Sequence, residues 1–325
     1  MAGQHDLLSQ RQIKGMFYEQ LALDFGSSWM AKLGFGPVPS DQASEQYPWL
    51  GMVPAMRERK GENHFADLQE KSITLENLEY QTGLKIDRRF ARRDKSGQLR
   101  VRLGDLAERA NYQWKSLLRT LIRNGTGSTS GLCYDGQYFF DTDHSEGDSG
   151  TQLNLLAAAQ VSALNVTTAT APTEAEAALA LLGVIGYMST FKDDQGEAVN
   201  EEAKDFLVIT PFNLYGAFQA AVANRLLNTG SGSATNPLPG EWTIRVVSIA
   251  GIEATVGTAS AIFYVARADG RTKPFILQEE VAPSLEILGP GSEYEKEHGH
   301  HLYNLWCSRA AGYGHWHHMT HNTLS

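Results

Sequence analysis

The chain has 325 residues, 42% hydrophobic and 20% charged, with a formal net charge of −9. This balance suits one large folded domain or two moderate ones and excludes a disordered chain. Cys133 and Cys307 are too few for a disulfide framework. The longest apolar run, Ala177 to Met188, is too short to span a bilayer, and Met1 to Gly15 lacks the apolar core of a secretory signal. A soluble protein of a reducing interior, with no membrane partner, is expected.

The charge is unevenly placed. Of the 28 basic and 37 acidic residues, twelve basic and four acidic ones (Asp87, Asp94, Asp105 and Glu108) fall between Lys85 and Arg123, leaving 16 and 33 elsewhere. A basic element on an acidic body marks a nucleic-acid surface or one half of a self-complementary contact between copies. Aromatic residues for base stacking are not interleaved there, which favours the second.

Residues 1–46 read as an arm. Gln12–Leu23 fits an amphipathic helix, whereas Gly34–Gln46 is rich in Gly, Pro and Ser and is not expected to pack alone. From Ser72 onward, Ile73, Leu75, Leu78, Tyr80, Thr82, Leu84 and Ile86 mark a period-two strand signal that ends in arginines. A ribbon this charged reads as a projecting β-arm. Between Leu99 and Gly125, Val101, Leu103, Leu106, Ala107, Ala110, Trp114, Leu117, Leu118, Leu121 and Ile122 recur at three- and four-residue steps. That spacing predicts a long α-helix with one apolar stripe. Glycine's left-handed freedom at Asn124–Gly125 would end it.

The loop Gly125–Gly131 lacks the Gly-Lys-Ser/Thr of a P-loop. Asp141, Asp143 and His144 suggest metal ligands, but Glu146 stands where a calcium loop needs glycine. A turn at Asp135–Gly136 followed by a short aromatic strand is preferred. Thr173 and Glu176 form a capping-box pattern opening a helix to about Phe191. Lys192–Val199 reads as a charged turn, Phe206–Ile209 as a buried strand, and Thr210–Pro211 as the start of a helix to about Leu227. Asn228–Gly240 reads as a mobile loop. Trp242–Val247 and Ala261–Ala266 read as strands, the latter in a hairpin with Lys273–Gln278. Seven of the ten histidines (His298, His300, His301, His315, His317, His318 and His321) lie at the C-terminal end. Within Tyr313–His321 no Cys, Asp or Glu is spaced as a further metal ligand, so a partly exposed aromatic strand is preferred. No catalytic, metal-binding or cofactor-binding residue is assigned.

Three blocks occur in order: Tyr47–Glu58 with Gly61 after it, Glu76–Tyr80 through Lys85–Arg89, and Tyr134–His144. A looser fourth runs from Met188 to Pro211. Together they resemble the major head (capsid) subunit family of Mu-like phages and prophages over about residues 47–215. The sequence departs from that pattern with Arg92-Arg93-Asp94 in place of an acidic pair, and with Ser145 in place of proline.

The resemblance implies an α+β tailed-phage major capsid (HK97-like) fold. Mapped here, the N-terminal arm is 1–46, the extended β-loop 47–98, and the peripheral domain 99–205 with its spine helix 99–125. The axial domain is 206–297, and the chain returns to the peripheral domain over 298–325. It further implies a structural protein and not an enzyme. Copies would form hexamers and pentamers of an icosahedral shell around double-stranded DNA, met without sequence preference on the inner face. The expected location is the virion capsid, assembled in the host cytoplasm. Scaffolding, portal and decoration proteins are the other implied partners, with scaffolding supplied in trans because no further domain precedes the arm. Contacts between copies are expected to join Arg88, Arg89, Arg92 and Arg93 to acids such as Glu201, Glu202 and Asp205. Three alternatives stay open: a metal-dependent hydrolase built on Asp141, Asp143, His144 and the C-terminal histidines; a non-viral encapsulating shell of the same fold; and a sequence-independent DNA-binding protein.

Overall fold

One helix, Gln98–Asn124, runs for 27 residues, about 40 Å. The computed structural model describes residues 14–15, 17–18, 28–50, 70–93, 98–228, 232–252 and 259–325. Along the helix Leu103, Leu106, Ala107, Ala110, Trp114, Leu118, Leu121 and Ile122 are buried, so the predicted spacing becomes one inward stripe. Val101 of that stripe points outward instead, 64% exposed. The helix stops where expected, but for another reason. Gly125 is not in the left-handed region; a Cβ there would lie 2.6 Å from the Phe140 ring. Glycine lets an aromatic side chain close the helix end.

Ahead of the long helix come a short turn of helix, Met30–Leu33, and strands β1 (Gly34–Pro39), β2 (Ser44–Leu50), β3 (Glu70–Glu76) and β4 (Leu78–Asp87). After it come β5 (His144–Ser145), β6 (Thr151–Gln152), β7 (Leu155–Leu156), helix Glu174–Met188, β8 (Asp205–Thr210) and helix Phe212–Ala223. The remainder is β9 (Leu226–Asn228), β10 (Ser233–Thr235), β11 (Thr243–Ser248), β12 (Ile262–Arg267), β13 (Phe275–Leu288), helix Glu293–His298, β14 (His300–Tyr313) and β15 (Met319–Thr323). Two sheets organise them, in orders β1-β13-β14-β4 and β11-β8-β12-β15-β7. The long helix packs on β14; the helices Glu174–Met188 and Phe212–Ala223 pack on each other and on the five-stranded sheet.

The long helix joins two cores. Its C-terminal half (Trp114, Leu118, Leu121, Ile122) enters the main core with Phe139, Phe140, Phe206, Phe263 and Trp316. Its N-terminal half (Leu103, Leu106, Ala107, Ala110) packs with Leu285, Tyr303, Leu305 and Phe17. Three expectations change here. The arm is partly satisfied by its own chain: Phe17 is 1% exposed, Met30 and Leu33 are fully buried, and β1 lies parallel on β13. These partners lie more than 80 residues away in sequence, so local composition could not reveal them. The ribbon splits in function: β3 pairs only with β2, whereas β4 pairs along its length with β14, from His300↔Asp87 to Arg309↔Leu78. And β12 and β13 belong to different sheets, so no hairpin joins them.

Other elements hold. Helix Glu174–Met188 opens on the capping box, with Thr173 Oγ1 accepting from the Glu176 amide and Glu176 accepting from the Thr173 amide at 2.8 Å. Pro211 is the residue before helix Phe212–Ala223, not its first. The segment 137–143 is irregular instead of a strand, with Phe139 and Phe140 buried. Between Asn228 and Gly240, β9 and β10 pair and Asn236 is buried, donating to Ala221 O and Asn224 O; residues 229–231 lie outside the described residues. Of the Gln12–Leu23 helix, only Lys14, Gly15, Phe17 and Tyr18 are described, all helical.

Candidate functional site

The charged residues singled out from the sequence sit at two separate places. Arg88 and Arg89 open a six-residue helix, Arg88–Arg93, directly after β4. The Asp87 carboxylate accepts from the Arg89 amide at 2.6 Å, and that bond holds its pKa below the usual carboxylate range. The Arg88 amide donates to Gly299 O at 3.0 Å, tying the turn to the start of β14. Arg89 is exposed and Phe90 is 50% exposed. The side chains of Arg92 and Arg93 lie outside the described residues. Glu201 and Glu202 are exposed in the turn before β8. Asp205 is engaged within the chain, paired with Lys32. Among the described residues no ion pair joins Arg88 or Arg89 to these acids within one chain.

The β2–β3 ribbon is fastened to the body on one face and exposed on the other among the described residues. β2 and β3 pair from Ser44↔Glu76 to Leu50↔Glu70. Gln278, fully buried in β13, accepts from the Tyr47 hydroxyl at 2.8 Å and donates to Asn77 Oδ1 at 2.8 Å. Asn77 in turn donates to Ser40 Oγ and Gln42 O. Burial pushes the Tyr47 hydroxyl up to about 12. Leu75 presses against Gly312, where a Cβ would come within 2.2 Å of it. Beyond this clasp, Ser44, Gln46, Pro48, Ser72, Thr74 and Glu76 are exposed, and Ile73 alone of the described ribbon side chains is buried. A two-stranded ribbon with so little buried surface is marginal by itself.

A second polar feature was missed from sequence. Arg309 lies 1% exposed beneath the long helix, 4.4 Å from the Trp114 ring, donating to Ala110 O at 3.1 Å and to Glu279 Oε1 at 2.8 Å. It fastens the helix to the four-stranded sheet between the two cores. Its only signal in the sequence is one arginine in a strand with no other Lys, Arg, Asp or Glu.

The residues of the hydrolase alternative do other work. His144 Nδ1 donates to Asp135 at 2.6 Å, both side chains buried, and its ring stacks on Trp316 at 4.1 Å. Asp141 accepts from the Tyr138 and Thr142 amides and so caps a turn. Of the C-terminal histidines, His301, His317, His318 and His321 are buried, His300 and His315 are half-buried and His298 is exposed, so the expected partial exposure is corrected for the first four. His317 Nε2 donates to Lys192 O at 3.1 Å. His318 donates through Nδ1 to Asn200 Oδ1, whose own amide nitrogen donates elsewhere, so Nε2 accepts from Thr272. Burial lowers the pKa of His315 and His321 to about 4 and of His318 to about 3. These are neutral, structural imidazoles. Among the described residues no group of three or more His, Cys, Asp or Glu is placed to hold a metal ion.

Comparison with known proteins bears on both the ribbon and the fold. Residues 32–168 match the family described as Mu-like prophage major head subunit gpT. The Mu-like prophage FluMu major head subunit of Haemophilus influenzae is 32% identical over 110 residues, 34% of this chain and 35% of that protein. The major capsid protein of Escherichia phage Mu is 27% identical over 107 residues, 33% of this chain and 34% of that one. The matches therefore span about a third of the length of these relatives. A subunit of the bacteriophage JBD30 procapsid superposes with a TM-score of 0.52 over 97% of this chain and 75% of that chain, at 17% identity. The fold is that of the tailed-phage capsid proteins, and the segment carrying the family resemblance contains both the ribbon and the long helix.

Proposed function

We propose that this chain, which resembles the Mu-like major head subunits over residues 32–168, is a major capsid protein of a Mu-like tailed phage or prophage. It acts by assembly and not by chemistry. Copies join as hexamers and pentamers that close an icosahedral shell around double-stranded DNA, with scaffolding, portal and decoration proteins as further partners. The domain division is proposed as mapped above, with the arm reduced by the residues that dock on the chain's own sheet and second core. The observation that carries the reading is the β2–β3 ribbon, anchored on one face by Tyr47, Leu75 and Gln278 and exposed on the other among the described residues, in a capsid-type fold.

In this reading each copy lays its ribbon over a neighbour. Arg88, Arg89, Arg92 and Arg93 meet a neighbour's Glu201 and Glu202, with Asp205 contributing less because Lys32 already holds it. An exposed ion pair contributes only ~0–1 kcal/mol. Cohesion must therefore come from area summed over several neighbours, beyond the ~1,600 Å² of a standard interface. Electron microscopy of the purified chain tests the assembly directly, with closed shells expected. Changing all four arginines to Glu should leave soluble capsomers or monomers; normal shells from that variant would remove the electrostatic contact. A non-viral shell of the same fold is distinguished by particles that enclose protein and no nucleic acid.

A further inference from the structure

The side of the long helix that faces away from both cores has a regular pattern. Arg102, Arg109, Ser116 and Arg123 follow at seven-residue steps, two turns or about 10.5 Å apart, and the three arginines are exposed. Lys115 and Arg119 are partly exposed on the same side, Arg119 donating to Ala250 O at 3.1 Å and lying 5.9 Å from the Tyr112 ring. Against these five cations stand Asp105 and Glu108, with Arg102 and Asp105 in a loose 3.4 Å pair, both more than half exposed. The face carries three net positive charges on a chain whose total is −9. From Arg102 to Arg123 it extends about 32 Å.

The chemistry of this face selects its partner. A protein interface centres on desolvated apolar or aromatic anchors and is depleted of charge at its core. Here Val101 and Tyr112 are the exposed large apolar side chains among the described residues of the helix, and Val101 lies towards one end. A phosphate backbone needs no such anchor; solvated arginines displace its condensed counterions and hold it without reading bases. Tyr112 is the one exposed aromatic side chain described on this face, too few for a single strand, which stacks successive bases on aromatic side chains, whereas a duplex needs none. We propose that the outward face of the long helix, centred on Arg102, Arg109 and Arg123, docks double-stranded DNA through its phosphates without sequence preference. The source of that duplex rests on the capsid reading; the binding itself does not.

The test uses the full chain below its assembly concentration, a random-sequence duplex of about 40 base pairs, and fluorescence anisotropy at a series of salt concentrations. Five phosphate contacts predict a slope of log Kobs on log salt of about −4.5, and the triple variant R102E/R109E/R123E should lower its magnitude by about 2.7. The milder R102Q/R109Q/R123Q should do the same, with circular dichroism and Tm confirming that both variants are folded. An unchanged slope and affinity in a folded triple variant overturns the proposal. If that variant also loses shells, the face belongs to an acidic neighbour. Shells from the unmodified chain with no salt-dependent duplex affinity would likewise overturn it while leaving the capsid reading intact. Duplex binding by a chain that never assembles would sink the capsid reading and leave this one standing.

Discussion

Arg309 and Glu279 form a pair whose members should differ in what their loss costs. Arg309 is 1% exposed and Glu279 21%. In Glu279→Ala the guanidinium stays under the long helix without its countercharge, a situation that costs about 3–5 kcal/mol. In Arg309→Met the stem volume is kept and Glu279 can turn to water. What goes is the bond to Ala110 O, about 1 kcal/mol, and the contact with Trp114, about 1–2 kcal/mol when desolvated. The methionine also removes a group already under-satisfied, since Arg309 Nε has no partner among the described residues. The expected order is therefore Glu279→Ala well above Arg309→Met, with the double variant no less stable than Glu279→Ala alone. Urea unfolding of the unassembled variants, followed by far-UV circular dichroism, gives the three values. Costs that simply add, or an Arg309→Met loss larger than that of Glu279→Ala, would refute the assignment of Arg309 as a buried charge dependent on Glu279.

Two further outcomes follow from the titratable groups and the cap. Glu176 is held at about 2 by bonds from Thr167 and the Thr173 amide. Thr173→Ala should cost about 1 kcal/mol. The part of stability linked to Glu176 should be present above its unfolded pKa near 4.5 and fade as pH falls towards 2, which urea titrations at pH 6, 4 and 2.5 would show. His315, His318 and His321 have depressed folded pKa values, so the unfolded chain binds protons first. Their contribution is complete above about pH 6.5 and shrinks as pH falls towards 4, by up to about 1.4 kcal/mol per pH unit per histidine. His318→Gln should flatten the slope between pH 6.5 and 4 by about one proton; a flat profile in the unmodified chain would contradict their burial.

What could be read from the sequence was whatever local chemistry decides. The helix Gln98–Asn124 follows from the spacing of its apolar residues, and the start of helix Glu174–Met188 from Thr173 and Glu176. What could not be read depends on partners distant in the chain. Arg267, Asp269 and Gly270 look like a hairpin turn. In the fold, Arg267 binds Asp269 and Val199 O, and Lys273 binds Ala268 O, so the turn carries the chain from one sheet into the other. The C-terminal histidines look like surface residues until Lys192 O, Asn200 and Thr272 supply their hydrogen bonds. The proposed contacts between copies are a harder case, because a complementary acid on a neighbour leaves no mark in one chain's periodicity.

The arm and the ribbon differ in how far the chain satisfies them, and that difference bears on the proposed contact between copies. Phe17, Met30 and Leu33 are buried against the chain's own body and β1 completes its sheet, which leaves Tyr18 and Phe35 as the exposed large apolar side chains of the described arm residues. The ribbon has one buried side chain among those described and a base locked by Tyr47, Gln278 and Asn77. Gln278 and its neighbour Glu279 both sit in β13: the first clasps the ribbon and the second holds Arg309 beneath the long helix. The direction of the ribbon is thereby coupled to the packing of the helix on its sheet. A shift of the helix large enough to break Arg309 from Glu279 would be felt at the root of the ribbon that we propose meets another copy.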